Sequence, residues 1–397
     1  MLDPLRERDF RLLWIGRTIS VFGDFINSVA LPFQILALGG GPLELGIYGA
    51  VTSVASIVFV LFGGAIADRV PRRRIILASD LASGGAIVAI ALLSAARELR
   101  LEQLYAAAAV LGAARSFFVP AIEALVPEIV PPDVLQAANS IRGLSRQLGL
   151  LGGPLVGGLL VAFAGLPVAF GVDALTFFVS FGALWLARPP TREPPPPAPI
   201  LRQVREGLAY TFSVSWLWIF IFAWSIVLLG MVGPLEVALP LLVRDVLHGD
   251  ARLFGTIIAA SGVGQVVAGL ALAQLKVSRL GVAICVFAVI GGVALIGIGL
   301  ITDVPILLTV SAVFGAQFVG VGVLWTTAVQ KHVPHELMGR VISIDFFGGA
   351  LLLPIAPIVA AAIVAALGPA AAFVIGGAIS LAIAGLLLLV PSIRALE

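Results

Sequence analysis

The sequence contains little cysteine, histidine or charge. Its 397 residues include one cysteine, Cys285, three histidines and only 12% charged residues. A single cysteine excludes disulfides within the chain and cysteine-based metal clusters. The histidines, His248, His332 and His335, fall in predicted loops and form no metal-ligand cluster. A soluble domain carries about a quarter charged residues, so the composition also excludes a soluble globular class.

Long apolar runs fill most of the chain. Hydrophobic residues make up 60% of it, and a helix that crosses a bilayer needs about 20 mostly apolar residues. We predict an all-α membrane protein with twelve transmembrane helices, the first of them uncleaved because no small-residue cleavage site follows it. The predicted spans are 10–38, 43–67, 75–96, 103–126, 135–164, 167–187, 214–242, 253–275, 280–301, 304–329, 337–366 and 369–392.

One long polar connection follows the sixth predicted span. Its run of prolines, Pro194–Pro197, predicts extended polyproline II. The sequence that follows, ILRQVREGLAY at 200–210, predicts a short amphipathic helix at the membrane surface. We therefore predict an N-terminal six-helix half at 1–187, a linker at 188–213 and a C-terminal six-helix half at 214–397.

The positive charges are distributed unequally between the connections. Of the 24 lysines and arginines, sixteen lie in one set of alternate connections and four in the other. Positively charged loops stay on the cytoplasmic side, so we predict that both termini and the linker are cytoplasmic. The excess of arginine over lysine, with many alanines, glycines and prolines, is typical of a GC-rich bacterial genome, and we expect a plasma (inner) membrane location.

Two segments recur between the predicted halves. VALP occurs at 29–32 and at 237–240, and VPPDVLQAANSI at 130–141 aligns with VPHELMGRVISI at 333–344. The similar offsets indicate an internal duplication of six helices. Parallel repeats of this kind place a substrate site near the membrane midplane, between the halves.

The segment GAIADRVPRRRIIL, residues 64–77, ends the second predicted span. A positive-inside signal explains its arginines but not the acid four residues after a glycine. The segment resembles the loop motif G-x-L-a-D-r-x-G-r-k of the major facilitator superfamily, from which Ile66 and Pro71 depart. The matching positions are Gly64, Ala67, Asp68, Arg69, Arg72 and Arg73. The resemblance implies that Asp68 packs near the N-terminus of span eleven in the outward-closed form, where Arg340 adds an ion pair.

The stretch GLLGGPLVGG, residues 149–158, places helix breakers in an uncharged span. It is similar to the span-five pattern g-x-x-x-G-P-x-x-G-G, which this superfamily associates with antiporters. The matching positions are Gly149, Gly153, Pro154, Gly157 and Gly158. We predict that the proline kinks the helix and that the glycines admit a neighbouring helix closely. An ordinary small-residue packing face is the alternative.

Charged residues within the spans are candidates for coupling groups, because each is costly in the bilayer. Asp24 is seven residues from Arg17 and shares its helical face. A carboxyl group in a low-dielectric cavity takes up and releases protons near neutral pH. Asp24 is the first candidate for the coupling carboxylate, followed by Glu236 and Asp345.

Further polar and aromatic residues are expected around Asp24. Arg115 partly matches the span-four arginine pattern of the family and is expected to hold the Asp24 carboxylate ionised, with a static ion pair between two spans as the alternative. The other candidates for a substrate cavity are Asn27, Gln34, Phe25, Phe118 and Gln317. Glu123 and Asp173 are expected near span ends, and Arg142 and Arg146 are expected to reach the membrane surface.

The segment SVFGDFINSVALPF in the first span resembles the drug:proton antiporter branch of the superfamily, which holds macrolide effluxers and the enterobactin exporter. The resemblance implies a secondary active, proton-coupled exporter of lipophilic small molecules that works by alternating access. No cofactor, no nucleic-acid partner and no enzyme activity are expected, and the protein is expected to be a monomer that uses a proton gradient. A siderophore exporter, a lipid or lysolipid flippase and a non-transporting scaffold stay open. ATP-driven pumping is not expected, because the sequence lacks a Walker glycine loop.

Overall fold

The computed structural model describes residues 3–67, 70–187 and 200–397, and the side chains of residues 60–67 and 200–204 fall outside that description. All secondary structure in the described part is helical. Eleven of the described helices are long and apolar enough to cross a membrane. The linker residues 188–199 and the loop residues Asp68 and Arg69 lie outside the described residues.

The first compact unit comprises Met1–Pro196 together with Gly249–Ala259. Its long helices are α1 (Arg8–Ala37), α2 (Pro42–Ala67), α3 (Arg72–Ala96), α4 (Leu101–Ile129), α5 (Leu135–Phe163) and α6 (Leu166–Leu186), with short 3-10 helices at Asp3–Arg6 and Pro132–Val134. Helix α1 packs against α5 and α6, α3 packs against α4 and α6, and α2 packs against α4. Phe10, Ile76, Leu125 and Leu184 belong to the buried core where α1, α3, α4 and α6 meet.

The second compact unit comprises Pro197–His248 and Ala260–Glu397. Its helices are α7 (Ile200–Ser213), α8 (Ser215–Gly233), α9 (Ala251–Leu272, which begins in the first unit), α10 (Leu280–Leu300), α11 (Val304–His332), α12 (Met338–Ala350), α13 (Ala356–Leu367), α14 (Pro369–Leu389) and α15 (Pro391–Arg394). Helical turns at Pro234–Ala238, Leu239–Leu241 and Leu242–Val246 extend α8. Helix α8 packs against α13 and α14, and α10 packs against α11 and α14.

The two units repeat the same internal helix pairing. In each, the third spanning helix packs against the fourth and the sixth, which are α3 with α4 and α6, and α10 with α11 and α14. The turn before the sixth helix also recurs: Gly165 and Gly368 both have a φ of 86°. This left-handed conformation is open to glycine without strain.

Span eleven differs from the single helix predicted over 337–366. It forms α12 and α13, separated by turns at residues 351–355 whose amides bond three residues back, as Leu353 does to the Ala350 carbonyl at 3.1 Å. Pro354 has no N–H to continue the α-helical ladder, and its ring clashes with the carbonyl four residues earlier. The hydroxyl of Ser225 on α8 donates to the Gly348 carbonyl near this break.

Candidate functional site

The first candidate carboxylate, Asp24, lies beside Arg17 on α1. Arg17 Nη2 is 3.5 Å from Asp24 Oδ2, and the side chains are 30% and 43% exposed. The Arg17 guanidinium also lies 4.6 Å from the centroid of the Phe118 ring on α4. A partly exposed pair at this distance is weakly held, so the Asp24 carboxylate is open to exchange partners.

Arg115 does not contact Asp24. Its side chain is exposed, and among the described residues it forms no hydrogen bond or ion pair. It acts on Asp24 only through space, after Arg17. The ion-pair partner of Asp24 among the described residues is Arg17, two turns away on the same helix face, and Arg115 acts on the carboxylate from a greater distance.

Three other predicted α1 residues point in different directions. Gln34 is only 4% exposed and accepts a hydrogen bond of 2.7 Å from Ser94 on α3, so it joins two helices and does not line an open cavity. The Phe25 side chain packs against Gly149 and Gly153 of α5. Asn27 is half-buried, and its Oδ1 has no hydrogen-bond partner in the described part of the chain.

A cavity of about 160 Å³ lies between α1, α4 and α5. Its polar and aromatic lining includes Trp14, Arg17, Phe118, Glu123, Arg142 and Arg146. Arg142 Nη2 bonds Glu123 Oε1 at 2.6 Å, whereas Arg146 forms no ion pair with any described residue. Three arginines against one glutamate make the lining net positive, and two of them, Arg142 and Arg146, were expected at the membrane surface.

Two further acids, Asp80 and Asp173, are buried close to this region, which the sequence pattern did not predict. Asp80 on α3 is 1% exposed and accepts a 2.8 Å hydrogen bond from Ser180 on α6. Asp173 was expected near a span end, but it lies within α6 and is completely buried. The sequence does show Asp80 as an acid inside the apolar run 75–96. Its burial, however, results from the packing of α3 against α6.

The glycine-rich motif packs α5 between two helices. Gly149, Gly153, Pro154, Gly157 and Gly158 are all buried, and α5 continues through the proline as one helix. A Cβ added at Gly157 would lie 3.0 Å from the Ile26 Cα of α1, and one at Gly158 would lie 2.6 Å from the Ala251 carbonyl oxygen of α9. The close approach expected from the glycines is present on both sides of α5.

Two arginines of the segment 64–77 bind the ends of neighbouring helices. Arg72 pairs with Glu128 and donates to the Ala124 carbonyl at 2.7 Å. Arg73 donates to the Trp185 carbonyl at 2.7 Å. Both attach the start of α3 to the C-terminal turns of α4 and α6, where a cation is favourable. Gly64 lies within α2 and its contacts are outside the description, as are Asp68 and Arg69.

Two candidate residues of the second unit, Asp345 and Arg340, each bind a different partner within that unit. The Trp325 indole N–H donates to Asp345 Oδ2 at 2.9 Å, and its ring stacks on Phe220 with centroids 3.9 Å apart. Arg340 Nη1 bonds Glu206 Oε2 of α7 at 2.6 Å, so its described partner is this glutamate rather than Asp68.

The last two candidates lie apart from these contacts. Gln317 is buried against Gly291 of α10 and therefore fills a helix interface rather than a cavity. Glu236 is exposed in the turn Pro234–Ala238 that extends α8.

The family model of the Major Facilitator Superfamily matches residues 13–357. The enterobactin exporters EntS of Citrobacter koseri and of Shigella dysenteriae serotype 1 are each 28% identical over 353 residues, covering 86% of this chain and 84% of theirs. The fold also matches a solved inward-facing bacterial homologue of the iron transporter ferroportin, with a TM-score of 0.70, 17% identity and coverage of 95% of this chain and 98% of that one.

A second solved structure has the same fold. The POT family transporter PepTSo matches with a TM-score of 0.78 and 14% identity, over 96% of this chain and 97% of its own. These likenesses, with the family match over most of the length and the many apolar helices, agree with one another. The chain belongs to the Major Facilitator Superfamily, as a multi-pass membrane transporter and not an enzyme.

Proposed function

We propose that this chain is a secondary active exporter that moves a small molecule out of a bacterial cell, across the inner membrane, in exchange for protons. The observation that carries the proposal is the exposed, weakly held Asp24 carboxylate beside Arg17 on α1. A charged group within a membrane span is costly and marks a functional site by default. The named relatives are exporters, which supports the direction of transport.

Exchange follows from competition at one carboxylate. The ionised Asp24 attracts Arg17, a proton, or a cationic or hydrogen-bonding group of the substrate. Occupancy by a proton removes the charge that the substrate needs, so the two exclude each other. This mutual exclusion is the requirement for antiport. The proton-bound and substrate-bound forms are carried across the membrane by alternating access of the two six-helix halves.

A second candidate function is the export of an anionic metabolite such as a siderophore. Its support is the net positive cavity, in which the Arg146 guanidinium has no ion-pair partner among the described residues. The name of the similar exporters, which refers to enterobactin, points the same way. The cell interior is negative, so the membrane potential itself drives an anion outward and supplies about 2.3 kcal/mol per charge per 100 mV. This function therefore needs no proton exchange.

The first test is ligand-induced stabilisation of the purified protein. The panel contains lipophilic cations, macrolides, catecholate siderophores and lysolipids, each measured near pH 6 and near pH 8. A ligand at 100 times its Kd raises the free energy of unfolding by about 2.7 kcal/mol. Stabilisation by a cation or macrolide that is stronger at the higher pH supports proton exchange. Stabilisation by a siderophore that is lost in Arg146→Gln supports the anion exporter.

The second test is transport by substituted proteins in an efflux-deficient bacterial host. Asp24→Asn is expected to abolish proton-coupled export of the ligand found above while the melting temperature is preserved. Asp133→Asn is the matched control, because Asp133 is an exposed acid in the turn Pro132–Val134, outside the spans. Export at the wild-type rate by Asp24→Asn contradicts the proposed exchange.

A further inference from the structure

Asp173 is a completely buried carboxyl group in the first compact unit. It lies within α6 with 0% of its surface exposed, and neither carboxyl oxygen has a hydrogen-bond partner among the described residues. The neighbouring Thr176 hydroxyl donates to the backbone carbonyl of Asp173 at 2.7 Å, and its oxygen lies beside the carboxyl group on the same helix. An ionised carboxylate in these surroundings is far more costly than a neutral carboxylic acid.

Helix α1 approaches this carboxyl group through a glycine. A Cβ added at Gly23 would lie 2.5 Å from Asp173 Oδ1 and 3.0 Å from Thr176 Cβ. Only a residue without a side chain leaves room for the Asp173 carboxyl group at this crossing. The next residue of α1 is Asp24, which acts electrostatically on Asp173.

The charged groups on the packed helices do not neutralise Asp173. On α1, Arg17 pairs with Asp24. On α3, Asp80 is bonded to Ser180, two turns along α6 from Asp173. On α5, Arg142 and Arg146 line the cavity shared with α1 and α4.

We propose that Asp173 is a second proton-binding site, buried behind Asp24 across the Gly23 crossing, and that the two carboxyl groups bind protons as a coupled pair. Asp24 directly follows Gly23, the residue that meets the Asp173 carboxyl group, and two neighbouring carboxylates repel each other when both are ionised. Their protons are therefore released in two steps that belong to the pair. Asp24 exchanges its proton with the exposed side, and Asp173 retains one in the arrangement seen here.

The use of the Asp173 proton in transport rests on the proposed proton exchange, but its presence does not. Infrared spectroscopy of the purified protein in lipid detects the carbonyl stretch of a protonated carboxyl group without any substrate. We expect this band in the wild-type protein at neutral pH, shifted by ¹³C-carboxyl aspartate, and reduced in Asp173→Asn. Asp133→Asn, an exposed control, is expected to leave the band unchanged.

Several results overturn the inference. A wild-type protein without an aspartic acid band, or an Asp173→Asn protein that keeps the full band, shows that Asp173 is ionised. If Asp173→Asn does not fold, the labelled band must persist in Asp80→Asn, and its complete loss there assigns the proton to Asp80 instead. A band whose pH midpoint is identical in wild type and Asp24→Asn refutes the coupling.

Transport separates this inference from the proposed function. An Asp24→Asn protein that still exports normally refutes proton exchange at Asp24 and leaves the infrared assignment of Asp173 standing. An Asp173→Asn protein that folds, has the reduced band and keeps the wild-type number of protons exchanged per substrate refutes the role of Asp173 in the cycle. We expect that number to fall by one.

Discussion

The tight crossing of α1 and α5 makes a quantitative prediction for Gly153→Ala. A Cβ at this position would meet Phe25 Cβ and lie 3.2 Å from the Phe22 carbonyl oxygen, which is backbone and cannot rotate away. Overpacking of this kind costs about 1–3 kcal/mol. Alanine also gains about 0.5–1 kcal/mol over glycine in a helix interior, so the net change ranges from near zero to a loss of about 2.5 kcal/mol.

Gly143→Ala is the matched control on the same helix. Nothing lies within 4 Å of a Cβ added there, and the position is exposed. Gly143→Ala has the same gain in helix propensity but adds no atom to a packed contact. The two variants should therefore differ by about 1–3 kcal/mol in the free energy of unfolding.

Thermal unfolding of the purified protein measures this difference. Domains of 150–250 residues, the size of each compact unit, shift by about 2–4 °C per kcal/mol. We expect Gly153→Ala to melt at least about 2 °C below Gly143→Ala. Equal melting temperatures would refute the reasoning, since they would show that α1 and α5 are not in close contact at the motif.

Three further predictions concern other contacts. In a double-mutant cycle, the partly exposed Arg340–Glu206 pair should show a coupling energy of about 0.2–1 kcal/mol, and a value well above this would mean that the pair is desolvated. Glu128→Gln should destabilise the protein by about 1.5–3 kcal/mol in chemical unfolding, because the largely buried Glu128 binds Arg72; a neutral result would contradict that contact. Cys285 is completely buried, so a maleimide should label the folded protein only after denaturation, and rapid labelling of the native protein would show that α10 opens.

The sequence alone was sufficient for the parts of the fold that depend on local composition. The apolar run predicted at 280–301 is α10, Leu280–Leu300, because a segment of this length and hydrophobicity satisfies its backbone hydrogen bonds in lipid only as a helix. The glycine spacing in 149–158 predicted a close helix contact, since small residues at intervals of four lie on one face. The family followed from the same motifs.

Tertiary packing decided which polar groups meet. The sequence placed Arg17 on the face of Asp24, and the structure pairs the two, but Arg115 forms no ion pair with Asp24 and Gln34 is buried against Ser94 rather than lining a cavity. Helical periodicity gives the face of a residue but not the rotation of the helix against its neighbours, which is set by side-chain packing.

The isolation of Asp173 has the same origin. Residues far apart in the chain, Gly23 on α1 and Thr176 on α6, enclose its carboxyl group. The sequence determined that this chain is a helical membrane transporter, because hydrophobic length and motif spacing are local properties. Only the tertiary structure decided which acid lies exposed on α1 and which lies buried behind it, because burial depends on contacts between helices.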